Sequence, residues 1–394
     1  MIQQHHQQHF WHFLKNKEMN EIYLSLGIIN FALGLVSVFI PIYFYKLGYP
    51  LLQILIYYFL LPVHGMFFTR YIIAPLVIKV GVKKSILYSV LFKIVFFVCL
   101  QFLPGASWLF FILPSLHVLK NQIGTLSYHL NYLEHSDSTK RGREVSAIFG
   151  ATLLAGLLAP LFGGLIIGLA GFKVLFSLAI VLMVISAIPI LSLPDKKTLA
   201  TIVFETKGMW REMFTRSNIP LFVSYGGYAI EEWIGTVVWS LFIFFMLNST
   251  AKVGIINTIV AAITFFVFYF VGKLSDKKDK KQLIKFGNFL YFFGWVGRIF
   301  ANTFGAVAFV DSYKNITGNM LQVPWTAFSY DLAAKRNYFR FIVEREIMFD
   351  LARAVFIPFV LIIFIFASKP FLLSFVMASF FSLGYMAIDK VKEV

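Results

Sequence analysis

Residues 311–325 read DSYKNITGNMLQVPW, a polar run set inside an apolar segment near residues 304–333. At 100° per residue, Asp311, Lys314, Asn315, Gly318 and Gln322 fall within one arc of roughly 100° on a helix. An earlier apolar segment, HVLKNQIGTLSY from His117 to Tyr128, carries the same layout. There His117, Lys120, Asn121, Gly124 and Tyr128 take the corresponding angles. Two polar stripes on two apolar helices, half a chain apart, point to a duplicated membrane protein with a polar interior.

Composition agrees. Of 394 residues, 59% are hydrophobic and 14% charged, and the mean hydropathy is +0.77. A soluble protein carries about 25% charged residues. The apolar residues come in blocks of about 20, the length that crosses a bilayer, whereas a membrane β-barrel needs short alternating segments. The expected class is an all-α membrane protein. Its only cysteine, Cys99, lies in an apolar run, which excludes an internal disulfide and gives no thiol–metal site. No cofactor or metal is implied. The opening MIQQHHQQHFWHFLKNKEMN is polar and aromatic and is followed by no small-residue cleavage site, so residues 1–20 read as a cytoplasmic tail.

Twelve spans are expected, at about 21–46, 51–79, 84–103, 107–133, 144–170, 173–193, 219–247, 252–273, 282–303, 304–333, 343–367 and 370–388. Residues 21–194 then form one six-helix bundle and 219–394 a second. The long hydrophilic connection 195–218 joins them, and LATIVFETKGMWREMF within it reads as an amphipathic surface helix. With the N-terminus placed inside, the inner loops gather Lys79, Lys83 and Lys84; Lys140, Arg141 and Arg143; Lys273 through Lys285; and Lys335, Arg336 and Arg340. The outer loops hold only Lys46, Lys173, Lys252 and Lys369. This bias places both termini in the cytoplasm. It also assigns the net charge of +16 to anionic lipid headgroups rather than to nucleic acid.

The halves match again in their loops. Arg143-Glu144 leads into the fifth span and Arg345-Glu346 into the eleventh. The loop after the eighth span places Gly272, Leu274, Asp276, Lys277, Lys280 and Lys281 in the pattern G-x-L-x-D-[RK]-x-G-[RK]-[RK], with Asp279 at the usual glycine. The loop after the second span keeps Leu76, Lys79, Gly81 and Lys83 but has Ala74 and Ile78 at the glycine and aspartate positions. In this the chain resembles the major facilitator superfamily of secondary transporters. The fifth span, with Gly156, Pro160, Gly163 and Gly164, is similar to a glycine-rich motif of many exporters, although such glycines also serve close helix packing. The resemblance implies a central path lined by spans 1, 4, 7 and 10, with 3, 6, 9 and 12 facing outward.

Ionisable groups inside a bilayer are costly and face a cavity or a partner. On that ground His117, Lys120, Asn121, Glu231, Glu232, Asp311, Lys314, Asn315 and Gln322 are candidates for a substrate and coupling path. A lysine would bind an anionic group, and Asp311 or a span 7 glutamate would exchange a proton. Asp311 and Lys314, three residues apart, can equally form a structural ion pair. Glu231 and Glu232 diverge by 100°, so one of them faces the path. Arg298 is expected to snorkel to the outer surface. Asp276, Lys277, Arg143, Glu144, Arg345, Glu346, Asp350 and Arg353 are candidates for a cytoplasmic gate. For the loop lysines the plainer role of fixing topology stands beside it.

The reading is a monomeric plasma-membrane transporter moving a small solute by alternating access, with protons as a coupling ion. It is not an enzyme: the one D-x-x-D, Asp276 and Asp279, lies in a lysine-rich loop rather than at a magnesium-pyrophosphate site, which weighs against a membrane transferase. No nucleotide-binding glycine loop is present to power transport. A sensor that kept the fold without transport is the remaining alternative.

Overall fold

A computed structural model describes residues 17–135, 152, 154–193, 207–277 and 279–391. Within the described residues all regular structure is helical. Helix α1 (Lys17–Val36) runs through a 3₁₀ turn into α2 (Ile40–Lys46). Helix α3 (Leu51–Phe68) continues through a π turn at Thr69–Ile73 into α4 (Ala74–Phe102), followed by α5 (Leu109–His135) and α6 (Ala159–Leu191). The short α7 (Met209–Met213) precedes α8 (Ile219–Trp233), which passes through a second π turn, Ile234–Val238, into α9 (Trp239–Leu247). Then come α10 (Thr250–Lys277), α11 (Lys280–Phe300), α12 (Phe304–Ala334), α13 (Tyr338–Phe366) and α14 (Pro370–Ser382), with a 3₁₀ segment at Leu383–Lys390.

Helices suit this sequence because each satisfies its own backbone where lipid offers no hydrogen bonds. Among the described residues six segments are long and apolar enough to cross a membrane: Leu24–Lys46, Leu51–Gly105, Leu154–Leu191, Ile219–Leu247, Tyr338–Phe366 and Pro370–Lys390. Two of these far exceed a bilayer thickness, and each is broken by a glycine. Gly81 (φ 81°) interrupts α4 and Gly171 (φ 80°) interrupts α6. A side chain at either φ would clash with its own backbone, so glycine is what lets the chain turn there.

Packing follows chain halves. In the first half α1 lies on α6, and α4 lies on both α5 and α6. In the second, α12 lies on both α11 and α10, and α8 packs on α13 and the terminal 3₁₀ segment. Two seams join the halves, α3 on α13 and α6 on α10. Glycines set the second seam: a Cβ on Gly164 would lie 2.5 Å from the Thr250 carbonyl oxygen, and one on Gly254 would lie 2.3 Å from that of Pro160. Gly163 meets the α1 backbone as closely, with Leu35 O at 2.2 Å from an added Cβ. The glycines of the fifth expected span therefore serve close helix contact.

A proline also marks a contact between helices. Pro104 cannot bond back to Leu100, whose carbonyl takes the Leu103 N–H and, at 2.7 Å, the Tyr43 hydroxyl. The expected linker helix is described only from residue 207 onward. There α7 buries Met209 and Met213. Its Trp210 ring lies 5.4 Å from the Arg70 guanidinium of the first half, and Glu212 pairs with Arg340 of α13 at 2.6 Å.

Candidate functional site

The polar stripe of α12 packs inside the second half, against α11. Gly294 of α11 closes on Lys314, whose Cα would lie 2.9 Å from an added Cβ, and Gly318 closes on the Tyr291 ring in the same way. Asp311 is buried and pairs with Arg298 of α11, while the Trp239 indole donates to its other oxygen at 3.0 Å. The guanidinium also lies over the Trp239 and Trp295 rings. Arg298 therefore does not snorkel; it is only 3% exposed. The Asp311–Lys314 pair is corrected too, because Lys314 lies 4.0 Å from Glu231.

Glu231 is the most enclosed carboxylate of this group. It accepts from Tyr291 (2.8 Å), the Trp295 indole (3.0 Å) and Tyr385 (2.9 Å). The Lys314 ammonium completes the shell and rests over the rings of Tyr291 and Trp295. Around the same core, Gln322 reaches Tyr385 at 3.5 Å and Asn315 donates to the Asp311 carbonyl at 2.8 Å. Within the second half the stripe is thus joined to a set of matched charges.

Glu232 turns the other way. It accepts from Arg353 of α13 at 3.0 Å, and Arg353 also donates to Asp350 at 3.3 Å and to the Ala229 carbonyl at 3.1 Å. Asp350 sits on the seam: Gln122 of α5 donates to it at 3.2 Å, and a Cβ on Gly65 of α3 would lie 2.1 Å from its carboxylate. Nearby, the Trp233 indole reaches across to the Tyr58 carbonyl at 3.3 Å.

Further along the same seam, Arg345 donates to Glu346 and, at 2.8 Å, to His129 Nε2 of α5. Arginine cannot accept, so Nε2 carries the lone pair and Nδ1–H donates to the Tyr330 hydroxyl of α12. Of the other expected gate residues, Arg143 and Glu144 lie outside the described residues, as do the side chains of Asp276 and Lys277.

The loop lysines have a use beyond topology. Lys83 donates to the carbonyls of Leu191 and Leu193 where α6 ends, and Lys281 donates to those of Asp389 and Val391 at 3.1 and 3.2 Å. In both cases the partners stand 108 and 110 residues downstream. A cation on the free carbonyls at a helix end is stabilising, and the identical spacing is a structural trace of the duplication.

In the first half, His117 bonds Tyr57 at 2.9 Å, and Lys120 donates to Asn121 at 2.9 Å. Lys93 of α4 donates to Ser89 at 3.1 Å. Lys93 is the one charged group in the apolar stretch of the third expected span, and the sequence reading did not count it among the candidate site residues.

A sequence profile of the Major Facilitator Superfamily matches residues 133–342, just over half the chain. The chain belongs to the Major Facilitator Superfamily. This superfamily member is also 23% identical over 211 residues to the uncharacterized protein YqgE of Bacillus subtilis (strain 168). That alignment covers 51% of this chain and 49% of YqgE, so it spans about half the length of that relative. In fold it is similar to the crystal structure of a bacterial homologue of the iron transporter ferroportin in the outward-facing state. The TM-score is 0.67 at 12% identity, covering 94% of this chain and 99% of the other. The same homologue soaked with iron gives a TM-score of 0.63 at 12% identity, covering 93% and 98%. The superfamily chain is thus a multi-pass membrane protein.

Proposed function

We propose that this protein is a secondary active transporter that carries a small solute by alternating access. In this reading it works as a monomer in the cell membrane, with twelve spans, two six-helix halves (21–194 and 219–394) and both termini in the cytoplasm. The observation that carries the reading is Asp350. It is a buried carboxylate bound by Arg353 of its own helix and by Gln122 of the opposite half. Between the halves run further hydrogen bonds, from Trp233 to the Tyr58 carbonyl and from Arg345 to His129, which can separate and re-form. Rocking of the halves exchanges the partners of Asp350, so a proton gained or lost there would be tied to the conformation. Asp311 suits that task less well, since Arg298 and Trp239 hold both its oxygens inside one half.

Iron, the substrate named for ferroportin itself, is a second solute to assay. Among the described residues no three His, Cys, Asp or Glu side chains gather to hold a metal ion. The test is flux into proteoliposomes with and without a pH gradient, in the parent protein and Asp350→Asn. Gradient-driven flux that Asp350→Asn uncouples supports the reading. Unchanged gradient dependence removes Asp350 as the coupling acid, and absence of flux for any solute bound by the protein favours the sensor.

A further inference from the structure

The two halves treat their buried cations differently. In the second half Lys314 faces Glu231 and Arg298 pairs with Asp311. In the first half Lys93 and Lys120 are 4% and 3% exposed, and among the described residues neither has a carboxylate within ion-pair distance. Their polar partners are neutral: Ser89 for Lys93, Asn121 for Lys120. The two ammoniums converge on one place. A Cβ at Gly124 would lie 3.4 Å from the Lys93 nitrogen and 3.2 Å from Ser89 Oγ, and Lys120 lies one helical turn before Gly124. The Lys120 ammonium sits over Phe96, 4.7 Å from the ring centre. Next to it, His117 is held by Tyr57 and packs near the Tyr58 ring, whose residue's carbonyl receives Trp233 from the other half. The cluster therefore lies one layer behind the seam.

We propose that Lys93 and Lys120 form an oxyanion subsite, taking the carboxylate or phosphate group of the transported solute. The inference rests on the transport reading and names the chemistry of its solute. Two uncompensated ammoniums in the centre of a membrane protein are expensive unless an anion joins them. The donors are of the right kind: two ammoniums, the Ser89 hydroxyl and the Asn121 amide, with no carboxylate to repel the ligand. Phe96 gives an apolar floor, and Gly124 lets Ser89 and Lys93 pack close against α5. Since Lys120 matches Lys314 in the repeat, the anion takes in the first half the place that Glu231 holds in the second.

The test uses the full-length protein in nanodiscs of phosphatidylcholine. Thermal melting is read with inorganic phosphate, sulfate or succinate, each against sodium chloride of equal ionic strength. At least one of these anions should raise Tm by roughly 3 °C or more at saturation. Lys93→Met and Lys120→Met should each abolish the shift, and Lys252→Gln, in an exposed outer position, should keep it. Loss of a buried cation can itself alter folding, so the parent protein is also subjected to reductive methylation with peptide mapping. Bound anion should protect Lys93 and Lys120 but not Lys252. The proposal is overturned if no anion outperforms chloride, if the shift survives in both methionine variants, or if neither lysine is protected. It is also overturned if phosphatidylglycerol in the disc reproduces the shift without added anion, which would assign the lysines to lipid. Flux is scored separately. Normal transport of a neutral solute by both methionine variants sinks the subsite and leaves the transport reading. Lysine-dependent anion binding without flux keeps the subsite and removes that reading.

Discussion

Trp233 of the second half donates its indole N–H, at 3.3 Å, to the Tyr58 carbonyl of the first. That carbonyl is free because Pro62, four residues on, has no N–H to give it. A helix defect on one side of the seam is therefore mended by a side chain from the other, and the mend can be undone when the halves part. Trp233→Phe should lower stability by about 1 kcal/mol, the usual net worth of such a bond. In a Pro62→Ala background the helix supplies its own donor and the same substitution should cost clearly less. A double-mutant cycle of melting temperatures in detergent measures the coupling, and equal costs in both backgrounds would show that the bond carries none.

Arg298 and Asp311 should behave as a buried pair. Either Arg298→Met or Asp311→Asn leaves a charge without its partner, at about 3–5 kcal/mol. Changing both should recover much of that loss. The expected readout is a monodisperse, folded double variant where each single variant melts early or aggregates. Full retention of transport by Asp311→Asn alone would contradict a structural role.

Lys83 and Lys281 cap helix ends in the same geometry on the two halves. Lys83→Met and Lys281→Met should each cost about 1 kcal/mol, within the range for a cation at a helix C-terminus, and their effects should add, since the sites are independent. Arginine at either position should restore most of the stability.

These cases show what the sequence can and cannot convey. Helical periodicity displays the stripe of Asp311, Lys314 and Gln322, and it correctly separates Glu231 from Glu232. It says nothing about which neighbour the stripe faces. Arg298 is thirteen residues upstream of Asp311, on a different helix, and a same-helix rule can only offer Lys314. Trp239, Trp295, Tyr291 and Tyr385 were equally hidden: among so many aromatic residues, nothing marks the few whose polar atoms turn inward to a carboxylate. Glycines at 163 and 164 announced close packing through their spacing, but Gly254, which faces Pro160, has no second glycine within four residues on its helix and carried no such signal. His129 and Arg345 meet across halves of the chain, a pairing that only the fold makes.

In the proposed transport cycle the halves rock as units about the seams, closing one end as the other opens. Gly254→Val places a branched side chain against the Pro160 carbonyl and should wedge apart the end where α6 meets α10. Spin labels at Lys173 and Lys252 report that end; labels at Lys84 and Lys335 report the other, near the His129–Arg345 contact. Measured by pulsed dipolar spectroscopy in a Cys99→Ser background, Gly254→Val should lengthen the first distance and shorten the second. Lengthening of the first distance with the second unchanged would contradict rigid-body alternation and reduce the substitution to a local distortion.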